Sequence, residues 1–270
     1  MNESLVKYLA GLLDADGSAS FNFKRDIRYP DKLYVLLRIT LASSDAVDKQ
    51  GFVTGLPAET GMGGISRYGK SRQFVTWTVT KQADVEMLLP RLVKHMVIKA
   101  QHWQWMLETW RAHRGRVISD EERAVLEASS KESRRTRVGP LRPKNHPTWA
   151  WLAGYLDGDG YYSCNLKGRG SKCMVMRIGA VAHTLDAPAS LEFIQRAFGG
   201  AIAAHGQSGQ CLVWYRNLGV SERSFALSIL PNLAKHSRLK RYKIDQMIHV
   251  HQQRLSAQNP DGVSDSLAAL

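Results

Sequence analysis

The chain has 270 residues, 44% of them hydrophobic, and its 37 Lys and Arg against 24 Asp and Glu give a formal net charge of +13 and a pI near 9.8. That is enough chain for one large domain or two ordinary ones with a core, and the basic excess favours a polyanionic partner, nucleic acid or an anionic membrane surface. There is no apolar run of about 18 residues to span a bilayer, and Cys164, Cys173 and Cys211, an odd set with no CxxC pair, argue against a disulfide framework and structural zinc.

The stretch LAGLLDADG, Leu9 to Gly17, begins within ten residues of Met1, so we expect no signal or transit peptide and an intracellular, reducing location. As a helix it lines up Leu5, Leu9, Leu12 and Leu13. Residues 21–28 then alternate, with Phe21, Phe23 and Ile27 on one face and Asn22, Lys24, Asp26 and Arg28 on the other, which reads as a strand. The turn Tyr29-Pro30-Asp31-Lys32 leads into a second strand over 33–42. Asp45 caps a short helix ending near Gly55. A hairpin over 63–67 and 72–78 turns at Tyr68-Gly69-Lys70-Ser71. Helices follow over 81–93, with Val85, Leu88, Leu89 and Leu92 inward, and over 99–113, with Trp103, Met106, Leu107 and Trp110 inward.

Residues 114–147 read as a linker between halves at 1–113 and 148–255. Ser119 and Glu122 form a capping box that opens a short helix through Ser129. Beyond it Lys131, Arg134, Arg135, Arg137, Arg142 and Lys144 meet only Glu132. Two readings of that run stand open, a solvated connector and a phosphate-binding strap across DNA.

At Leu152 to Gly160 the opening word returns as LAGYLDGDG, and the order of elements returns with it. A motif helix starts at Thr148, with Trp149, Trp151, Leu152 and Leu156 as its apolar bulk. Strands over 161–167 and 172–183 turn at Gly168-Arg169-Gly170, and a helix covers 186–197. A second hairpin turns at 206–209 into a strand over 210–216, and helices start at Ser221 and Arg238. Residues 256–270 read as a frayed tail.

Both words place small residues four apart, Gly11 and Ala15, then Gly154 and Gly158, a spacing that lets two helix backbones approach closely. Both end in two acids and a glycine. A carboxylate at a helix C-terminus meets unpaired carbonyls and the negative end of the dipole, which is unfavourable without a cation. Incurred twice, that cost suggests a metal. An EF-hand-type calcium loop is excluded, because the glycine falls at position four and the twelfth position is Arg25 or Gly168.

These residues resemble the LAGLIDADG homing endonucleases in the form where one chain carries two motifs. The resemblance implies an α+β fold of two pseudo-symmetric αββαββα halves, whose antiparallel sheets form a DNA-binding saddle. It implies a monomeric, site-specific double-strand DNA endonuclease that hydrolyses phosphodiesters in a long target with divalent metal, leaves short 3′ overhangs and originates in an intron or intein; with no intein splice-junction residues evident, we expect a free-standing or intron-encoded enzyme. It further implies that Asp16 and Asp159 ligate two or three Mg2+ ions, with help from the backbone carbonyls of Ala15 and Gly158, that Mn2+ substitutes, and that Ca2+ supports binding without cleavage. Asp14 and Asp157 match acids with a more structural part, and Lys99 and Lys240, in Val97-Ile98-Lys99 and Arg238-Leu239-Lys240, match a basic position beside the scissile phosphate. A polar position that is often glutamine in the family falls instead at Ser43 or Ser44 and at His183 or Thr184.

Packing the motif helices about a pseudo-twofold axis brings Asp16 and Asp159 into one composite site, where hard oxygen ligands suit magnesium. Counting six, eight and ten from each motif acid gives Asn22, Lys24 and Asp26, then Asn165, Lys167 and Arg169, as a DNA-facing set. Arg28, Tyr34, Arg38, Arg67, Tyr68, Lys70, Arg72, Gln207, Gln210 and Arg216 extend it. Because these faces differ between halves, the target is expected to be asymmetric. Most of the seven tryptophans sit at helical spacing beside Leu and Met, and they read as core rather than stacking platforms. The competing readings are an RNA-splicing maturase acting on intron RNA and a regulator that binds DNA without cutting it.

Overall fold

The structure is a computed structural model that describes residues 1–44, 48, 51–70, 73–139, 141, 146–166, 174–183, 187–205, 211–218 and 223–258. Its first half runs α1 (Glu3–Asp16), β1 (Gly17–Arg25), β2 (Leu33–Ser44), α2 (Phe52–Thr60), β3 (Gly64–Tyr68), β4 (Phe74–Val79), α3 (Gln82–Val93) and α4 (Ala100–His113). The second half repeats it as α6 (Trp149–Asp159), β6 (Gly160–Leu166), β7 (Met174–His183), α7 (Ala187–Phe198), β8 (Ala201–His205), β9 (Cys211–Leu218), α8 (Arg223–His236) and α9 (Arg241–Gln258). Between them stand β5 (Val117–Ile118) and α5 (Asp120–Thr136).

Both sheets are antiparallel, in the orders β1-β2-β4-β3 and β6-β7-β9-β8. Register and burial give each two faces. In the first sheet Ala19, Val35, Leu37, Ile39, Leu41, Val75, Trp77 and Val79 point into the core, while Ser18, Ser20, Asn22 and Lys24 share the open face with Tyr34, Arg38 and Thr40. One continuous core holds the inner faces of both sheets and the helices above them. Trp77, Trp103, Trp110, Trp151 and Trp214 are fully buried in it, in line with the core reading, and Trp105 and Trp149 pack at its margin. Among the described residues no helix is long and apolar enough to cross a membrane.

Four local expectations change. The strand after α1 starts at Gly17 rather than Phe21, because Gly17 leaves the helix directly in extended backbone (φ −80°). Helix α2 starts at Phe52 and runs past Gly55. Asp45 lies outside the described residues, and Asp48 does the capping, its carboxylate accepting the Val53 and Thr54 amides at 2.8 and 3.2 Å. The linker helix continues to Thr136 instead of stopping near Ser129, and β5 adds a strand to the first sheet by pairing with Leu33 and Tyr34. Finally α9 extends to Gln258, into what reads in sequence as the tail.

Helix α5 opens with the expected capping box, Ser119 and Glu122 exchanging backbone bonds at 3.1 and 3.0 Å. Its inner stripe carries one apolar residue, Leu126, with Ser130 and Ser133. Docking onto the first half therefore relies on other contacts. Asp120 pairs with Arg25 at 2.9 Å, Arg123 lies over Phe23, the Ser133 hydroxyl meets His102 Nδ1 at 2.8 Å, and Arg137 lies 5.0 Å over the Trp105 ring. The first stretch of the charge run is thus a helix seated on the first half rather than a free connector; residues 142–145 lie outside the described set.

Candidate active site

Helices α1 and α6 cross where Gly11 meets Gly154. A Cβ on Gly11 would lie 1.9 Å from the Trp151 carbonyl oxygen, and one on Gly154 would lie 2.0 Å from that of Tyr8. Only glycine allows that approach. At the C-terminal ends a Cβ on Gly158 would come within 2.4 Å of the Ala15 Cβ and 3.0 Å of Asp16 Oδ2, so the Asp16 carboxylate rests against the end of the opposite helix.

The first acid of each motif is buried, Asp14 at 2% exposure and Asp157 at 1%. Asp14 accepts the Val97 and Lys99 amides at 2.7 and 2.8 Å and the Trp151 indole N–H at 2.8 Å. Asp157 accepts the Arg238, Leu239 and Lys240 amides, the Ser237 hydroxyl at 2.7 Å and the Tyr8 hydroxyl at 2.8 Å. Each acid therefore fixes the turn that carries its own half's lysine and takes one bond from the other half. Burial still pushes the Asp14 carboxyl up, against the lowering effect of these donors and of Lys99. Tyr8 and Trp151 escaped the sequence reading as linking residues. The available signal was that both stand six positions before the first acid of their motif, and both are aromatics with a donor tip.

The lysines revise the argument for a cation at the helix ends. Lys99 Nζ donates to the carbonyls of Leu13, Ala15 and Gly17 at 3.1, 2.7 and 2.8 Å, and Lys240 Nζ donates to those of Leu156, Gly158 and Gly160 at 3.0, 2.8 and 2.7 Å. Each ammonium spends all three donors capping its own motif helix. The dipole's negative ends are thus met by protein, and the unpaired carbonyls alone do not demand a metal.

Four charged groups converge at this junction. Burial pushes the Asp16 carboxyl up, opposed by Lys240 and Lys99. Burial pushes Lys99 down, opposed by Asp14, Asp159 and Asp16, and pushes Lys240 down, opposed chiefly by Asp157 and Asp16 and less by Asp159. Each lysine thus feels the second acid of both motifs. Among the described residues no group of three or more His, Cys, Asp and Glu side chains could hold a metal. Two carboxylates and the second lone pairs of the Ala15 and Gly158 carbonyls are the available donors. Such an all-oxygen set fits a hard divalent ion that completes its shell with water and substrate oxygens, and does not fit zinc.

On the open face of the first sheet Asn22, Lys24 and Arg38 are exposed, Arg38 Nε donates to Ser20 at 3.3 Å, and Tyr34 lies half-buried beside Lys24. Tyr68 stacks on Phe74 at 5.2 Å, and Lys70 is exposed at the turn. Asp26 and Arg28 lie beyond the end of β1, in the turn, where Asp26 accepts the Arg28 amide at 2.8 Å. Two arginines face the other way. Arg67 pairs with Val75 on the helix side of the edge strand, and Arg216 pairs with Ile178 and donates to the Phe198 carbonyl under α7. A shift of one residue in strand parity accounts for both. Asn165 holds the register position of Asn22, opposite Val175. Arg72, Lys167, Arg169, Gln207, Gln210 and Thr184 lie outside the described residues.

Sequence reading also missed Arg177. It sits opposite Ser163 as Arg38 sits opposite Ser20, donates to Asn217 at 2.9 Å and lies 4.6 Å over the Tyr215 ring. The signal was the apolar alternation Met174, Met176, Ile178 and Ala180, which leaves Arg177 on the other face.

No protein-family model matches this chain, and no curated protein does. Solved structures do. The I-LtrWI LAGLIDADG homing endonuclease bound to target DNA aligns with a TM-score of 0.70 at 16% identity, covering 95% of this chain and 92% of that one. The LAGLIDADG meganuclease I-AabMI bound to uncleaved DNA gives 0.68 at 14%, covering 95% and 92%. The I-SmaMI LAGLIDADG homing endonuclease bound to cleaved DNA gives 0.67 at 17%, covering 98% and 92%. The chain has the LAGLIDADG homing-endonuclease fold in its single-chain, two-motif form.

Proposed function

We propose that the protein is a monomeric, site-specific double-strand DNA endonuclease that hydrolyses phosphodiesters with Mg2+ held by Asp16 and Asp159. One observation carries the reading: two helices locked at Gly11 and Gly154 bring the last acid of each motif, with a lysine from each half, to a single junction. The similar proteins are homing endonucleases bound to DNA, and one, I-SmaMI, is bound to uncleaved target in the presence of calcium ions.

In this reading the open sheet faces hold the duplex, a β-ribbon fitting the major groove where donor and acceptor patterns distinguish the base pairs. Asp16 and Asp159, with the carbonyls of Ala15 and Gly158, would hold the ions, which when bound would supply an activated water and charge neutralisation at the phosphate and leaving oxygen. Asp14 and Asp157 act through others, fixing the lysine turns and tying the halves together. Lys99 and Lys240 supply positive charge next to the scissile phosphate. To donate a hydrogen bond to it, each must release one helix carbonyl.

The test is cleavage of a plasmid library of long randomised sites in magnesium, with calcium as the binding-only control and sequencing of the cut ends. Cleavage at one asymmetric site family, with short 3′ overhangs, is expected. Recovery of perfect palindromes alone would overturn the two-half reading of the target. Tight binding in calcium with no cutting in magnesium would overturn the endonuclease and leave a DNA-binding protein of this fold.

A further inference from the structure

Beside the motif junction lies a cavity of about 270 Å3, bounded by the start of β1, the first turn of α4 and the end of α5, with Ser18, Lys99, His102, Trp103, Arg134 and Arg137 in its wall. It begins at Gly17, the residue after Asp16. Among the described residues three cations line it and no acid does. Arg137 is braced over Trp105, and its Nη1 is shut off from bulk water without a hydrogen-bond partner. A buried guanidinium donor left unpaired is costly, and a turn of the side chain toward an occupant of the cavity would give it the acceptor it lacks. Arg134, one helical turn earlier, makes no ion pair among the described residues, so its charge is uncommitted. Lys99 contributes charge only, its donors being spent on helix carbonyls.

His102 reports on the same field. Burial, then Arg134, Lys99 and Arg137, push its imidazole down to about 4, so the ring is neutral at physiological pH and the cavity's positive charge comes from the arginines and the lysine. Two forked arginines, one of them without an ion pair among the described residues, around a space of this size match a tetrahedral oxyanion. The second half has no counterpart. Aligning Lys99 with Lys240 puts Lys243 in the place of His102, and among the described residues no helix takes the place of α5.

We propose that this cavity is a phosphate seat formed by the linker helix: Arg134 and Arg137 take one backbone phosphate of the DNA substrate next to the scissile one, on the first half only. The assignment of that phosphate to DNA rests on the endonuclease reading above; the seat itself does not.

Two titrations on the full chain test it, comparing wild type with Arg134→Gln and with Arg134→Gln/Arg137→Gln. The single variant alters only an exposed side chain at the helix end, so it guards against misfolding in the double variant. Inorganic phosphate, followed by the His102 ring resonances, is expected to give a saturable shift in wild type that weakens in the single variant and vanishes in the double. Binding of a random-sequence duplex in calcium is expected to weaken roughly tenfold in the double variant, and its log–log salt slope to fall by about 0.9 for the lost phosphate. No phosphate-induced shift in wild type, or an equal shift in a folded double variant, would overturn the seat. An unchanged salt slope would overturn its use by DNA. A wild-type chain that takes phosphate in this way but binds no duplex would leave the seat standing and sink the endonuclease reading instead.

Discussion

Asp14 in the first half collects two amides and the Trp151 indole, whereas Asp157 in the second collects three amides and the hydroxyls of Ser237 and Tyr8. The lysines that these acids position cap their helices through the same three carbonyl places in both halves. The open sheet faces agree only in part, Ser20 and Arg38 with Ser163 and Arg177, and Asn22 with Asn165. Ser18, Ser20, Asn22, Lys24 and Thr40 line the first, while Tyr161, Gly179, Val181, Val213 and Tyr215 lie across the second, broken by Ser163, Arg177 and Asn217. The contrast separates two kinds of constraint. Buried donors and acceptors at a helix crossing must all be satisfied and leave little room for change, whereas an open face needs only a surface that fits its partner.

The most damaging way to break the shared interior is to place a methyl at the crossing. Gly154→Ala puts a Cβ against the Tyr8 carbonyl, and forcing α1 from α6 is expected to cost about 3 kcal/mol or more and to abolish cutting, measured by urea unfolding and by cleavage. Wild-type stability in this variant would mean that the helices do not cross so closely.

Next in size is a difference between the halves at His102 and Lys243. With its folded pKa near 4 against 6.5 unfolded, His102 stays neutral in the fold and charges in the unfolded chain. Its contribution to stability is therefore full above pH 6.5 and falls as the pH drops towards 4, by about 3 kcal/mol at most. Urea unfolding across that range should show a flatter profile in His102→Asn. Identical profiles would place the ring in water.

Smaller effects sharpen the comparison of the two acids. Trp151→Phe removes one of three donors to Asp14 together with part of a buried ring, and should cost about 2 kcal/mol. Tyr8→Phe leaves four donors on Asp157 and should cost about 1 kcal/mol. The reverse order in urea unfolding would mean that the acids are wired differently from the geometry described above. The smallest effects belong to the open faces. Arg38→Ala and Arg177→Ala should each weaken duplex binding roughly fivefold and relax base preference at opposite ends of the target, read by site selection. Relaxation at the same end would contradict one sheet reading each half-site.

Much of the fold was legible because the motif helix is written twice, with its apolar stripe, its small residues four apart and its terminal acids in step. The strands were legible from alternation, but their edges were not. Arg67 and Arg216 were misplaced by one residue of parity, and Asp26 by the early end of β1, because alternation marks a face without marking where pairing stops. The reach of α5 was hidden for a different reason. It docks through serines and arginine–aromatic contacts, so no apolar stripe announced it, and its basic end resembled a solvated run. At the site the residue types and positions of Asp16, Asp159, Lys99 and Lys240 were readable from the repeat. That the lysines cap their own helices was not, since three carbonyls converging on one ammonium is a property of the folded backbone alone.

The account turns on one composite site with a necessary acid from each half, and the most direct test separates them: cleavage and calcium-phase binding of the recovered target by Asp16→Asn and Asp159→Asn, each made singly. Neither variant is expected to make the double-strand cut, and both should bind within a fewfold of wild type, because the DNA-facing sheets and the buried acids Asp14 and Asp157 are untouched. Wild-type cutting by either variant, or loss of binding in step with cutting, would contradict a shared catalytic junction.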